Sequence, residues 1–492
     1  MENTVTDMFR FVENCKECVI YGAGNYGKRL YELLTMFKLA QKVKCFAVSE
    51  CPEKQSSNTK LRVISFEDME KTYPNAAILV AVKDGEELYK KVKREHKGEV
   101  FLIKKETLSL SDELMEKWWE SPVEERKILF LSSSGKGYMC NGKYITEELL
   151  RQGQDIDMVW AVNNMECKVP DRVRKVKKDS YEYYHEVATA RVWVDNERKD
   201  IQIKKRDGQY YIQTWHGSGP LKKVEKDVED ILSSKYVRKA KHDGEMIDLF
   251  LSSTSANSYM YRNSFYSSAE ILECGSPRND VMFRNPPVDR NKVLHSLGIE
   301  NKNAKIVLYA PTFRCTREES AETYDLDAKR VIGELNKKFQ GEFIMLLRFH
   351  CWDVSEFERI KKLYAGCINT TEYDDTQELL AVSDVLITDY SSIMWDFSLK
   401  RTPVFLYQND AQEYMDSRGF YCHPDEWPYP RAFDMDGLCK IISEFNQAEY
   451  TEKVDSFLKR WSSFDDGFAS KRAAARIMDV INNPQKYQNG SK

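Results

Sequence analysis

Four β-prone runs of this chain end in residues that can move protons or hold anions. Tyr210–Thr214 runs into Trp215-His216-Gly217, and Lys305–Tyr309 runs into Pro311-Thr312-Phe313-Arg314. Glu342–Leu347 runs into Arg348-Phe349-His350, and Val385–Thr388 runs into Asp389-Tyr390-Ser391-Ser392. A histidine titrates near neutrality and suits a general base. Gly217 and the Gly-Ser-Gly-Pro turn around it leave the His216 ring approachable, and Lys222 and Lys223 follow with positive charge. Arg348 and His350 are two apart, so an extended strand puts them on one face. That pairing suits a phosphate better than a core. Ser391 and Ser392 precede "IMWDFSLK", which reads as a helix start. An N-cap explains them; the same free N–H groups, hydroxyls and helix dipole also cradle a phosphate. For both histidines the competing reading is a packed ring bonded to backbone.

The elements that must position these residues alternate strand and helix, the pattern of a parallel sheet. Strands are expected at Ile128–Leu131, Met158–Val162, Arg191–Asp195 and Tyr210–Thr214. A second series runs Lys305–Phe313, Glu342–His350, Val385–Tyr390 and Thr402–Tyr407, with helices at Asp327–Phe339, Asp353–Tyr364 and Thr376–Ser383. A closing helix is expected at Ala469–Asn482. In open parallel sheets, ligands bind beyond the carboxyl ends of the strands, where the four chemical stretches fall. "SSSGKG" after Leu131 has a phosphate-loop composition but not the G-x-x-x-x-G-K-[ST] spacing, so a P-loop nucleotidase is not expected.

A smaller α/β domain precedes these two. Gly22, Gly24 and Gly27 form G-x-G-x-x-G between the strand Val19–Tyr21 and a helical pattern. Further strands are expected at Lys42–Glu50, Ala76–Val82 and Val100–Ile103. The order resembles the dinucleotide fingerprint, but the domain has room for half of that architecture. Nucleotide binding through the three glycines and a docking role for the domain both stay open. The boundaries read as 1–108 for this domain, 109–126 for a linker helix, 127–300 and 301–492 for the two larger halves.

The chain has 492 residues, which points to several domains. Its net charge of −4 does not suggest a nucleic-acid partner. The basic clusters Arg172–Lys178, Lys204–Arg206 and Arg238–Lys241 read as solvated faces or as a surface for an anionic membrane. The 12 cysteines are scattered, and Cys15-x-x-Cys18 has no second pair, so no metal is expected and the thiols suit a reduced compartment. The beginning "MENTVTDMFRF" does not read as a signal peptide, and no apolar stretch approaches a membrane span. The expected location is cytoplasmic, peripheral at the inner face of the membrane.

Together, "QTWHGSGPLKKVEKDV", "ECGSPRNDVMF", "VLYAPTFR", "LLRFH", "VLITDYSSIMWDFSLKRTPVFLY" and "DSRGFY" resemble the CDP-glycerol glycerophosphotransferases of teichoic acid and capsule synthesis. The resemblance covers roughly Ile128 to Tyr421. It implies a GT-B fold and attack by an acceptor hydroxyl on the β-phosphate of a CDP-polyol, releasing CMP. It implies His216 as base and His350 as the group that holds or protonates the diphosphate. Arg278, Arg314 and Arg348 would stabilise phosphate charge, and Ser391 and Ser392 would bind the diphosphate. Gly217, Thr312, Asp389 and Arg418 complete the expected substrate contacts. No cofactor is implied; the partners are CDP-glycerol or CDP-ribitol and a polymer or lipid-linked acceptor. The turn after His216 is one residue longer than the family's Trp-His-Gly-Thr-Pro-Leu-Lys, with Gly219 the extra residue. Two other readings stand beside this one. One is a GT-B glycosyltransferase using a nucleotide sugar. The other is a non-catalytic polymer-binding scaffold.

Overall fold

The computed structural model describes residues 5–36, 39–49, 61–104, 118–284, 288–312, 324–349, 364–412, 414 and 419–487. Its chain divides into two compact units, one of residues 1–121 with 179–185, the other of residues 122–178 with 186–492.

The first unit is built on a parallel five-stranded sheet. Its strands are β1 (Cys18–Tyr21), β2 (Val43–Val48), β3 (Val63–Ser65), β4 (Ala77–Val80) and β5 (Val100–Leu102), in the order β3-β2-β1-β4-β5. β3 was not expected, because three half-buried residues give no periodic signal. The glycine turn has a packing reason at two positions. A Cβ on Gly22, which has φ +120°, would lie 2.5 Å from the Ala81 carbonyl oxygen. One on Gly27 would collide with the Gly22 carbonyl at 1.8 Å, while nothing lies within 4 Å of one on Gly24. Cys18 is buried inside β1, and that burial pushes its thiol up to about 12.

The second unit holds two parallel sheets. One comprises β6 (Glu124–Leu131), β7 (Asp157–Val162), β8 (Val173–Lys177), β9 (Ala190–Asp195), β10 (Tyr210–Gln213), β11 (Leu249–Ser252) and β12 (Glu270–Glu273). Their order is β12-β11-β10-β9-β6-β7-β8. The other comprises β13 (Lys305–Tyr309), β14 (Phe343–Leu347), β15 (Ile368–Asn369), β16 (Val385–Thr388), β17 (Val404–Tyr407) and β18 (Arg431–Ala432). Their order is β15-β14-β13-β16-β17-β18. The direction of winding reverses between β6 and β9 in one sheet and between β13 and β16 in the other. Central strands such as β9, β10 and β16 are buried at every residue. They are covered on both faces, so they read as unbroken apolar runs rather than alternating ones.

One expectation is corrected here. Glu124–Arg126, expected in the linker helix, open β6 instead, where pairing with β9 begins at Glu124. Residues 109–117 of that helix lie outside the described residues, as does the expected helix Asp353–Tyr364 except Tyr364. Arg172–Lys178 includes the edge strand β8, on which Arg174 and Lys177 keep a solvated face. Arg174 bonds Asp157 and Glu186, and Lys175 Nζ donates to the Met165 and Cys167 carbonyls. The closing helix Ala469–Asn482 packs back from the second half onto the first sheet. Ala473, Ala474, Ile477 and Ile481 join one core with Ile128, Phe130, Val192 and Leu249. Their i, i+3, i+4 spacing gives that helix a single apolar face.

Candidate active site

His216 stands three residues beyond the end of β10, on a strained turn. Trp215 has φ +50°, an uncommon conformation for a bulky side chain. The turn is held from several sides. The Gln213 amide oxygen accepts from the Trp215 N–H at 2.9 Å, and Asn141 Nδ2 donates to the Trp215 carbonyl at 3.1 Å. The indole stacks on the His216 ring at 4.5 Å and meets the Phe265 edge at 4.8 Å, with the Arg198 guanidinium 5.4 Å from its centre. Arg198 is itself buried and paired with Glu225 and Asp243.

The imidazole has one fixed nitrogen and one available. Nδ1 lies 2.7 Å from the Asn196 carbonyl oxygen, which can only accept, so Nδ1 carries the proton and donates. Nε2 is then the basic nitrogen. The ring edge is open to a cavity, yet the protein around that cavity still disfavours charge. Burial lowers the His216 pKa below the ordinary histidine value; the Asn196 bond and Glu197 oppose that shift, while Arg278 and Arg198 add to it. A neutral base is the result.

The cavity has a volume of about 630 Å³ and takes its walls from both sheets of the second unit. Ser133, Lys136, Cys140, Asn196, Glu197, His216 and Arg278 line it from the β6–β12 side. Arg348, Thr371 to Gln377, Ser392 and Asp396 line it from the other. Both winding reversals are represented: Ser133 and Asn196 follow β6 and β9, and Ser392 follows β16. That is where an open parallel sheet places its ligand.

The expected site residues divide into three groups. His216, Arg278, Arg348 and Ser392 meet at the cavity. Arg348 Nη1 also donates to the Thr370 and Tyr373 carbonyls at 2.9 and 2.7 Å, which fixes the loop opposite His216. Arg278 is 5% exposed and its donors are directed inward. It reaches Asp396, the His216 carbonyl at 2.8 Å and Ser218 Oγ at 3.2 Å. It therefore holds the His216 turn as well as lining the cavity. Thr312, Asp389, Ser391 and Gly217 are not among the lining residues. Thr312 gives its N–H and hydroxyl to the buried Asp389 carboxylate, at 2.9 and 2.5 Å, bridging β13 and β16 at the reversal. The Gly217 carbonyl accepts from Asn257. Ser391 precedes a helix of six residues, Ile393–Ser398. Lys222 lies over the Tyr414 ring, 5.4 Å from its centre. His350, Arg314 and Arg418 lie outside the described residues.

Four residues that sequence reading missed do much of the positioning. Asn141 joins the Trp215 carbonyl to the Arg278 N–H. Asn196 orients the imidazole. Asn257 receives the Gly219 N–H at 3.1 Å. Asp396 accepts from Arg278, Asn279 and Gln377. Each lies far in sequence from the group it serves. Asp396 alone had a signal, an acid inside the short apolar stretch after Ser391-Ser392.

Two facing parallel-sheet halves, with a histidine beyond a strand end and Arg348 and Ser392 across a cleft, define a GT-B-like architecture. The chain belongs to the family CDP-Glycerol:Poly(glycerophosphate) glycerophosphotransferase, whose model matches residues 114–479. It is 32% identical over 418 residues to the teichoic acid poly(glycerol phosphate) polymerase of Staphylococcus epidermidis, covering 81% of this chain and 56% of that one. The chain thus spans little more than half of that relative. A Bacillus spizizenii polymerase of the same description is 29% identical, covering 73% of this chain and 93% of that one. The solved wall teichoic acid polymerase TagF is similar in structure, with TM-score 0.67 and 30% identity, over 77% of this chain and 95% of that one.

Proposed function

We propose that the protein transfers a polyol phosphate, glycerol phosphate first among them, from a CDP-polyol to a hydroxyl of a cell-wall polymer or its primer, releasing CMP. The observation that carries this reading is His216, with Nδ1 bonded to backbone and Nε2 basic at the edge of a cavity that Lys136 and Arg348 also line. An acceptor hydroxyl there loses its proton to Nε2 as its oxygen attacks the β-phosphorus. The new P–O bond forms, the pyrophosphate P–O bond breaks, and the electron pair leaves with CMP. Arg348 and Ser392 face the donor from the opposite wall, and Lys136 adds charge from the first sheet. His350, Arg314 and Arg418 take the donor-side roles that family likeness gives them. Glycerol is favoured over ribitol because the poly(glycerol phosphate) polymerases named above are 32% and 29% identical, whereas a ribitol-phosphate polymerase of Bacillus spizizenii is 26% identical.

Among the described residues no helix is long and apolar enough to cross a membrane. A peripheral position at the inner membrane face follows from a lipid-linked acceptor, and neutralising Lys204–Arg206 and Arg238–Lys241 tests it by liposome co-sedimentation. The glycine turn of the N-terminal unit has no part in this reading. The deciding experiment measures CMP release from CDP-glycerol and CDP-ribitol with a panel of primers, beside His216→Ala. General-base loss costs about 10²–10⁴-fold. CMP from neither donor, or an undiminished variant, would overturn the reading.

A further inference from the structure

Asn196 follows directly on β9 and is 1% exposed, yet it is one of the residues that line the cavity beside His216. Its backbone is pinned by Asp195, whose Oδ1 accepts from the N–H groups of Asn196 and Glu197 at 2.7 and 3.1 Å, while Oδ2 pairs with Lys199. Its side-chain orientation is equally determined. Oδ1 accepts from the Ser133 N–H at 2.8 Å. A backbone N–H only donates, so the atom that faces it must be the amide oxygen. The amide nitrogen, Nδ2, is then turned away from Ser133 and is buried without a hydrogen-bond partner. Buried polar groups are nearly always paired, and an orphaned one at a reaction site calls for an explanation.

The surroundings point to a ligand. Ser133, Ser134 and Gly135 have φ of +47°, +53° and +86°, three successive left-handed residues. Two of them are serines, for which that conformation is unfavourable. The strain brings the Ser133 N–H onto Asn196. Ser133 and Asn196 also flank the winding reversal between β6 and β9. One residue therefore has two parts to play: its carbonyl fixes the tautomer of the base, and its amide keeps an unpaired donor within a wall residue of the same cavity.

We propose that Asn196 Nδ2 is a substrate-contacting donor, binding a non-bridging oxygen of the phosphoryl group that the acceptor attacks. This rests on the reading of His216 as the base of phosphoryl transfer. The amide proton stays on nitrogen throughout. The bond it makes strengthens as charge builds on the phosphoryl oxygens, which is how a fixed donor lowers a barrier.

Asn196→Asp tests it. Aspartate keeps an oxygen for the Ser133 N–H and leaves the backbone bond to His216 in place. It exchanges the donor for an anionic oxygen facing the phosphoryl group. CMP release from CDP-glycerol is measured for both proteins, with kcat and KM separated, alongside Tm. The expected result is a kcat lower by about 10²–10³-fold at unchanged Tm, the scale found for loss of one such donor. A variant within about threefold of the parent would overturn the proposal and leave the amide a structural residue. If Asn196→Asp lowers Tm, Asn196→Ala is assayed below both melting temperatures and judged by the same criterion. If the parent protein itself releases no CMP, the phosphotransferase reading fails first, and the donor role falls with it.

Discussion

At His216 a backbone carbonyl does what a carboxylate does in many proton-transfer sites: it fixes one ring nitrogen as donor and frees the other. A neutral carbonyl stabilises the imidazolium less than a carboxylate would, so burial dominates and the pKa is lowered. The sign of the pH effect follows. A base with a lowered pKa is unprotonated across the neutral range and is lost only on acidification. The acid limb of kcat/KM for CMP release is expected to lie below the ordinary histidine range, with activity falling about tenfold per pH unit below the His216 pKa. An acid limb centred above pH 7 in a pH–rate profile would contradict that environment.

The strand-end turns show where element geometry tolerates no change. Gly219 has φ +80°, and a Cβ there would lie 2.6 Å from the Trp395 ring. Trp395 is fully buried in the core around β13 to β17 and cannot retreat. The extra glycine of the His216 turn is therefore the residue that lets this turn reach the opposite sheet. Gly219→Ala combines backbone strain with overpacking, each worth about 1–3 kcal/mol. Its urea midpoint is expected to drop by the corresponding amount, with CMP release falling as the His216 turn shifts.

On the scale of the whole second unit, buried ion pairs tie the two sheets together around the cavity. Arg278 meets Asp396 at 3.0 Å. Lys143, on the helix Cys140–Arg151, meets Asp375 and Glu378 at 2.7 Å each, and Tyr144 donates to the same Asp375 oxygen. Removing one partner of such a pair leaves an uncompensated buried charge and costs about 3–5 kcal/mol. Asp396→Ala is expected to lose that much in equilibrium unfolding and to impair catalysis, because Arg278 carries the His216 carbonyl. Lys143→Met is expected to destabilise on the same scale while the His216 turn keeps its bonds. Equal stability for either variant would show that the sheets are not held together by these pairs.

How much was legible in the sequence follows from how far each signal reaches. Buried parallel strands are unbroken apolar runs, so most strands of the second unit could be read directly. The edge strands β8, β12, β15 and β18 and the short β3 could not, because charged or half-buried residues erase the pattern; β11 was missed although buried throughout, because four residues are too short a run to stand out. His216, Arg348 and Ser392 were visible because each lies within four residues of a strand end, and strand ends of parallel sheets share one side. Only the tertiary structure decided the rest. It turned Asp389 and Thr312 toward each other and directed Arg278 inward to Asp396. It also returned the helix Ala469–Asn482 to the first sheet's core. These choices depend on contacts between residues 77 to 189 positions apart. The local sequence determines which groups can donate, accept or titrate; only the folded backbone determines which of them are already paired, and so which remain for a substrate.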